Sequence, residues 1–209
     1  MVTKEQILQW LQAVAVVLEQ NKAYLTELDA AIGDADHGIN MNRGFQKVVS
    51  QLPSVADQDI GTILKTVSMT LISSVGGASG PLYGTMFLRS STAVAGKSEL
   101  TDEDMIALLQ AAVDGVVQRG KANLGDKTML DALCPASDTF KEAIANGTTT
   151  QEALNQAVAA AEQGMKDTIP LVAKKGRASY LGDRSANHQD PGATSTYLIL
   201  KTLLETVST

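Results

Sequence analysis

Residues 3–20 read TKEQILQWLQAVAVVLEQ, and their apolar positions recur with the spacing of one face of an α-helix. The spacing i, i+3, i+4, i+7 predicts an amphipathic helix that buries this face. The stripe consists of Ile7, Trp10, Leu11, Val14, Val17 and Leu18. Thr3 and Gln6 stand where the two partners of a capping box are expected, so the helix should begin just after Thr3.

Four further stretches repeat this pattern, and together they predict an all-α protein. They run from Ile60 to Leu71, Met105 to Val116, Leu154 to Met165 and Tyr197 to Val207. Shorter helices are expected near Asp36, Pro81 and Thr128, which brings the total to about eight. No segment alternates with the period of a strand, and no linker or repeat divides the chain. We therefore expect one helical domain over residues 1–209.

Composition and charge exclude several classes of protein. The net charge is -6 and the pI is about 4.9, and no cluster of Lys and Arg provides the basic face that nucleic-acid binding needs. No apolar run approaches the roughly 20 residues of a membrane helix. Cys134 is the one cysteine, and the N-terminal residues lack a signal-peptide pattern. These observations predict a cytoplasmic protein with no nucleic-acid or membrane partner.

Polar and glycine-rich residues collect in four loops that join predicted helices. The loops cover residues 29–42, 76–84, 120–128 and 176–193. In a bundle with short connections, alternate loops fall at the same end. The four loops therefore predict one site at one end of the bundle.

The first loop carries three carboxylates, Asp29, Asp34 and Asp36, with Gly33 between the first two. A turn at Gly33 could gather them around one point, where a hard divalent cation such as Mg²⁺ would offset their repulsion. In an alternative interpretation, Asp36 only caps the next helix and Asp34 only holds a turn. His37 could line the same site or serve as an ordinary hydrogen-bonding residue.

The second loop, SVGGASGPLYG at residues 74–84, has the features of an anion-binding loop. Glycines allow backbone N–H groups to approach a phosphate, and a helix that begins near Pro81 would direct its positive end toward it. Ser79 adds a hydroxyl donor. The alternative is a tight turn between helices, in which glycine is needed only for conformation.

The third loop, Gly120 to Thr128, nearly matches a P-loop, but Asp126 stands where the motif requires Lys. The preceding segment also reads as a helix rather than the strand of that motif, so we reject a P-loop. In the fourth loop, Arg177 and Arg184 could bind phosphate oxygens. Asp190 begins an Asp-Pro-Gly turn ahead of the last helix, and an aspartate of this loop could instead pair with the arginines.

Five runs in one order resemble the nucleotide-binding domain of the dihydroxyacetone kinases. They are GDADHG at 33–38, SVGGASGP at 74–81, GDKTM at 125–129, KGRASY at 175–180 and HQDPGA at 188–193. The resemblance implies a barrel of eight antiparallel helices with ADP or ATP at one end. It also implies two Mg²⁺ ions on Asp29, Asp34 and Asp36. The implied nucleotide contacts are His37, Gly38, Ile39, Asn40, Ala78, Ser79, Gly120, Met129, Arg177, Asp190, Pro191 and Gly192, and we assign the catalytic role to Arg177.

Because the chain is short, it looks like the free-standing L subunit of the phosphoenolpyruvate-dependent form. The resemblance then implies tightly bound ADP that takes a phosphoryl group from a phosphohistidine carrier, the M subunit. The group would pass to dihydroxyacetone on the K subunit. One alternative is a nucleotide domain of an ATP-dependent kinase with another acceptor protein. Another is a partner of a transcription factor that senses the state of the nucleotide.

Overall fold

The computed structural model describes residues 1–208, which form nine α-helices, two short 3-10 helices and one pair of two-residue strands. The strands are β1 (Val2–Thr3) and β2 (Glu99–Leu100). The α-helices are α1 (Lys4–Gln20), α2 (Lys22–Ile32), α3 (His37–Gln51), α4 (Ile60–Ser74), α5 (Ser79–Ala93), α6 (Asp102–Gly120), α7 (Leu130–Ala145), α8 (Thr150–Asp167) and α9 (Pro191–Val207). The 3-10 helices are Leu52–Ser54 and Arg177–Ser185. The all-α prediction is confirmed.

Side-chain caps define where several helices begin. Thr3 Oγ1 accepts a hydrogen bond from the Gln6 backbone N–H, and the Gln6 side-chain oxygen accepts one from the Thr3 backbone N–H, which confirms the predicted capping box of α1. Thr101 caps α6 in the same reciprocal way with Asp104. Each such cap satisfies N–H groups that have no partner inside the helix.

Two details of the sequence prediction were wrong. The structure has a helix, α2, directly after α1, so Asp29 lies in a helix and the first loop is only residues 33–36. The chain also forms a minimal antiparallel pair in which Val2 lies opposite Leu100. This pair fixes the N-terminus beside the segment that enters α6.

The packing order of the helices closes on itself. Each helix from α3 to α9 packs against the next, α9 returns to α1, and α1 packs against α3. Trp10 links the two ends of the chain, because its indole N–H donates to the Ile199 carbonyl oxygen at 3.0 Å. Its ring also packs at a centroid distance of 6.0 Å from Phe87. Helix α2 lies outside this ring, against α3, α9 and the 3-10 helix Arg177–Ser185.

No helix within residues 1–208 is long and apolar enough to cross a membrane.

Candidate functional site

All four polar loops line one cavity of about 500 Å³. Its wall includes Gly33 from the first loop, Gly77 from the second, Thr128 from the third and Arg177 from the fourth. The predicted convergence of the loops is therefore confirmed. A volume of this size is within the usual range for a small-molecule site.

The three aspartates of the first loop meet at one side of the cavity. One oxygen from each of Asp29, Asp34 and Asp36 lies within 4.8 Å of the others. Asp29 is buried in the last turn of α2, whereas Asp36 is half-buried and Asp34 is exposed. Between the last two, Ala35 adopts a left-handed conformation with φ of 61°. Such a conformation is unfavourable for alanine and is typically found where surrounding structure imposes it, often at functional sites.

The carboxylate that caps α3 belongs to Asp29 and not to Asp36. Asp29 Oδ2 accepts hydrogen bonds from the backbone N–H groups of Asp36 at 2.9 Å and His37 at 3.1 Å. Asp36 occupies the N-cap position, but its side chain accepts no capping hydrogen bond. The structure therefore does not support the interpretation in which Asp36 serves only as a cap, and its carboxylate is available for a ligand.

Arg177 brings the fourth loop to the aspartates. Its Nε lies 2.9 Å from Asp34 Oδ2, and the arginine side chain remains 67% exposed. The guanidinium can therefore reach other groups without leaving this loop. Arg184, the other candidate arginine, is exposed and does not line the cavity.

The second loop presents an uncapped helix start to the cavity. Gly77 has φ of 63°, a left-handed conformation that glycine adopts without strain. Ala78 is the N-cap of α5, and no side chain bonds to the N–H groups of its first turn. Because those groups lack partners inside the helix, they form a site suited to an anion.

A buried chain of hydrogen bonds runs beneath this wall. His37 Nδ1 lies 3.1 Å from Ser79 Oγ, and its Nε2 lies 2.8 Å from Ser195 Oγ. The Tyr83 hydroxyl bonds to Ser195 at 2.7 Å and donates to the Gly192 carbonyl oxygen at 3.0 Å. Burial lowers the pKa of His37 despite nearby Asp29, and burial raises the pKa of Tyr83 to about 12. Both groups are therefore neutral near pH 7, and they join the starts of α3, α5 and α9.

Asp190 begins α9 at the cavity wall. Its side chain accepts a hydrogen bond from the Ala193 N–H at 2.7 Å. Burial raises the pKa of Asp190 to about 7, and the neighbouring Asp131 adds to this effect, while the Ala193 N–H and Lys127 oppose it. The residue thus combines a structural cap with a carboxyl group that can be either protonated or ionised at neutral pH.

Most residues predicted for the site line the cavity, but three do not. The wall contains Asp29, Asp34, Asp36, His37, Ala78, Ser79, Gly120, Met129, Arg177, Asp190, Pro191 and Gly192. Gly38, Ile39 and Asn40 lie outside it. Gly38 is buried against α2, and Ile39 is 49% exposed. Asn40 accepts a hydrogen bond from Arg43 at 2.7 Å and lies behind Gly76.

The apolar part of the wall was not anticipated from the sequence. It includes Ile32, Leu82, Val116 and Ala122, and Arg119 lies at its edge. Val116 belongs to a helical stripe that the sequence assigns to the core. The pattern of such a stripe does not distinguish a residue that lines a cavity from one that packs in the core. A cavity lined by both carboxylates and apolar side chains suits a ligand that has both a charged and an apolar part.

Comparison with known proteins points to one family. Residues 31–205 match the family model of the DAK2 domain. The chain is 48% identical to the "PEP-dependent dihydroxyacetone kinase, ADP-binding subunit DhaL" of Escherichia coli strain K12, and the match covers 96% of each chain. It is 40% identical to the "PTS-dependent dihydroxyacetone kinase, ADP-binding subunit DhaL" of Lactococcus lactis, over 100% of each chain.

A solved structure shows the same fold. The dihydroxyacetone kinase of C. freundii, in complex with AMP-PNP and Mg²⁺, matches with a TM-score of 0.72 and 25% sequence identity. The match covers 95% of this chain but only 33% of the other, so the chain spans about a third of that kinase's length. The resemblance found in the five sequence runs is confirmed, and the chain belongs to the DAK2 domain family.

Proposed function

We propose that the chain is the ADP-binding subunit of a phosphoenolpyruvate-dependent dihydroxyacetone kinase. In this role, its Mg²⁺-bound ADP would accept a phosphoryl group from a phosphohistidine carrier subunit and pass it to dihydroxyacetone on a K subunit, giving dihydroxyacetone phosphate. One observation carries the proposal: three carboxylates converge beside an uncapped helix start in one cavity.

The carboxylates fit magnesium. Mg²⁺ prefers oxygen ligands and usually binds one or two carboxylates together with phosphates and waters. Asp29, Asp34 and Asp36 offer such oxygens within 4.8 Å of one another, and Asp36 makes no capping hydrogen bond that would compete. In the absence of a cation, their mutual repulsion would be unfavourable. We propose that they hold two Mg²⁺ ions, as the family resemblance implies.

The start of α5 fits a diphosphate. Gly77, Ala78 and Ser79 lie on the cavity wall, where backbone N–H groups and the Ser79 hydroxyl can donate to phosphate oxygens. His37 Nδ1 lies within hydrogen-bonding distance of the Ser79 hydroxyl. This contact would orient Ser79 toward the ligand and keep the ring from rotating.

The apolar side of the cavity fits the adenosine part of the nucleotide. We place the base against Met129, Pro191 and Gly192, which line the cavity wall together with Gly120 and Leu82. Small-molecule pockets are lined mainly by apolar side chains, which suits the flat faces of an adenine base. The proposal thus assigns phosphates to the acidic side and the base to the apolar side.

Arg177 is the proposed catalytic residue. Phosphoryl transfer depends mainly on positioning and on stabilising negative charge, and an arginine can supply that charge. The Arg177 guanidinium pairs with Asp34, a proposed metal ligand, so it already lies at the edge of the site where phosphate would bind. Its exposure leaves it free to contact a group that arrives from a partner protein.

The comparisons support function within a complex. Two relatives that the chain matches almost from end to end are named as ADP-binding subunits. We therefore propose separate K and M subunits as partners, in the cytoplasm, with the nucleotide retained through the cycle. A complex with a transcriptional regulator is a further prediction, compatible with this role.

The test is a reconstituted transfer assay. The purified chain, loaded with Mg²⁺ and ADP, is mixed with a K subunit, dihydroxyacetone and a phosphohistidine carrier charged from phosphoenolpyruvate. We expect dihydroxyacetone phosphate to form only when all components are present, and Asp34→Ala to abolish its formation. The matched control, Asp57→Ala, removes an exposed aspartate from the α3–α4 connection and should change nothing. Transfer at an unchanged rate by Asp34→Ala would contradict the proposal.

A further inference from the structure

Lys127 is a buried cation in the third loop, and its charge is enclosed by backbone carbonyl groups. The residue is 1% exposed. Its Nζ lies near the carbonyl oxygens of Thr168 (2.9 Å), Ile169 (3.4 Å), Leu171 (3.0 Å), Ser185 (2.7 Å) and His188 (2.5 Å). An ammonium group has three N–H donors, so five oxygens exceed what it can bond individually. The remaining attraction is between its positive charge and the carbonyl dipoles.

Both ends of the loop that carries Arg177 are attached to this point. The Lys174 N–H donates to the carbonyl oxygen of Asp126 at 3.1 Å, one residue before Lys127. The Ser185 carbonyl oxygen accepts from Lys127 Nζ itself. Between these two attachments the segment is largely exposed, packs on one side against α2, and contacts the first loop through the ion pair of Arg177. The position of Arg177 therefore depends on how the two ends are held.

The start of α9 is attached to the same point. Thr168 accepts from Lys127 through its carbonyl oxygen, and its hydroxyl accepts from the Asp190 N–H at 3.0 Å. Asp190 is thus connected to Lys127 through two hydrogen bonds, both of which Thr168 accepts. Lys127 also has φ of 63°, which costs about 1–2 kcal/mol for a residue with a Cβ. The contacts of its buried side chain must therefore outweigh this strain.

We propose that Lys127 is a positioning residue for the site: its ammonium acts as an internal cation that holds the Arg177 loop and the start of α9 in place around the cavity. The proposal rests on the proposed function, because the ligand used to detect correct positioning is ADP. Lys127 is one of the residues that line the cavity, but its Nζ lies among the five carbonyl oxygens, so the proposal requires no contact between this group and the nucleotide. Removal of the charge should therefore damage the site more than it damages the fold.

The first experiment replaces the ammonium with an uncharged group in Lys127→Met. We expect ADP affinity to fall by about tenfold or more. Hydrogen exchange should become faster at the amides of Lys174, Asn187 and Asp190, which donate to Asp126, Ile169 and Thr168 respectively. The matched control is Phe140→Leu, a fully buried position in α7 about 15 Å from the start of that helix at Leu130. It should lower the Tm without changing ADP affinity. Unchanged ADP affinity in Lys127→Met, or unchanged exchange at these three amides, would overturn the proposal.

The second experiment restores the charge from solution. Lys127→Ala removes the three methylenes and the amine beyond Cβ, which is the size of a propylammonium ion. We expect propylammonium to restore both ADP affinity and slow amide exchange, and 1-propanol, its neutral analogue, to restore neither. This variant can be purified in the presence of propylammonium if it does not fold alone. Recovery of the fold without recovery of ADP affinity would overturn the proposal.

The two proposals fail in different ways. If the wild-type chain does not bind ADP with Mg²⁺, the proposed function is wrong, and amide exchange still reports whether Lys127 holds the two segments. If the wild-type chain binds ADP and Lys127→Met binds it equally well, the inference about Lys127 is wrong and the proposed function stands.

Discussion

Replacement of Asp36 by Asn should stabilise the nucleotide-free protein and abolish its response to magnesium and ADP. Its carboxylate lies within 4.8 Å of those of Asp29 and Asp34 and makes no capping hydrogen bond. Asp29 is buried and Asp36 is half-buried, but both line the open cavity. An effective dielectric constant of about 40–80, between the values for a protein surface and for water, gives a repulsion of about 1–2 kcal/mol per pair at this distance. We count only the pair with Asp29, because Arg177 offsets the charge of Asp34.

This free energy corresponds to a measurable change in Tm. For a chain of this size, each kcal/mol shifts the Tm by about 2–4 °C, so Asp36→Asn should raise the Tm in EDTA by about 2–8 °C. With ADP at 100 times its Kd and excess Mg²⁺, the wild-type protein should gain about 2.7 kcal/mol, or roughly 5–10 °C. The variant should gain little from the same addition. Scanning calorimetry with and without Mg²⁺ and ADP measures both effects.

The two interpretations of Asp36 predict different results. If Asp36 served only as a helix cap, Asn would replace it with little change, since Asn is an equally good cap. Asp57→Asn, remote and exposed, provides the control for removal of one negative charge. An unchanged Tm in EDTA together with a full response to Mg²⁺ and ADP would refute the metal-site reasoning.

Three further predictions address other parts of the site. Arg177→Ala should slow phosphoryl transfer by about 100-fold while weakening ADP binding much less, if the guanidinium stabilises negative charge that develops during transfer, as we propose; titration calorimetry and single-turnover rates compare the two losses. Gly38→Ala should lower stability by about 1–3 kcal/mol, because a Cβ there would lie 2.8 Å from the Thr26 backbone nitrogen and closer still to the Lys22 carbonyl oxygen; urea unfolding measures the loss. In the nucleotide-free wild-type protein, Asp190 should make the free energy of unfolding fall by up to about 1.4 kcal/mol per pH unit as the pH rises from roughly 4 to 7. Asp190→Asn should not show this fall.

The sign of the pH effect follows from the pKa of Asp190. Burial raises this pKa to about 7, above the unfolded value, so the folded state holds the proton over a range where the unfolded state has lost it. The contribution is therefore fully present below about pH 4 and is lost as the pH rises through 7. If the stability of the wild-type protein changed with pH in parallel with that of Asp190→Asn, the Asp190 carboxyl group would not be protonated in the folded protein over this range. Equal losses of rate and affinity in Arg177→Ala would indicate simple anchoring, and an unchanged urea midpoint in Gly38→Ala would contradict the packing argument.

The sequence predicted the main helices and the convergence of the loops because both leave local signals. Helical stripes reveal a buried face, and glycine-rich polar runs mark the loops between them. Helix α2 was missed because a carboxylate interrupts its stripe. Leu25, Leu28 and Ile32 have helical spacing, but Asp29 occupies the remaining position of the buried face. The residue that we propose as a magnesium ligand is therefore also the one that hides this helix from the hydrophobic pattern.

Other features could not be predicted because they depend on contacts between distant segments. Lys127 reads as a surface lysine in a polar loop, yet its partners lie 41–61 residues further along the chain. The same is true of the bond between His37 and Ser195, which are 158 residues apart. The sequence around Gly38 does not show whether this glycine is needed to contact a ligand or to pack against a helix. Only the backbone of α2 beside it shows that it is a packing position.

Mass spectrometry under native conditions tests the central claim most directly. The purified chain, incubated with Mg²⁺ and ADP and then desalted, should retain a mass equal to the polypeptide plus one ADP and two magnesium ions. Asp34→Ala treated in the same way should show the polypeptide alone. A wild-type spectrum containing only the bare polypeptide would contradict the assignment of Asp29, Asp34 and Asp36 as the magnesium ligands of a bound nucleotide.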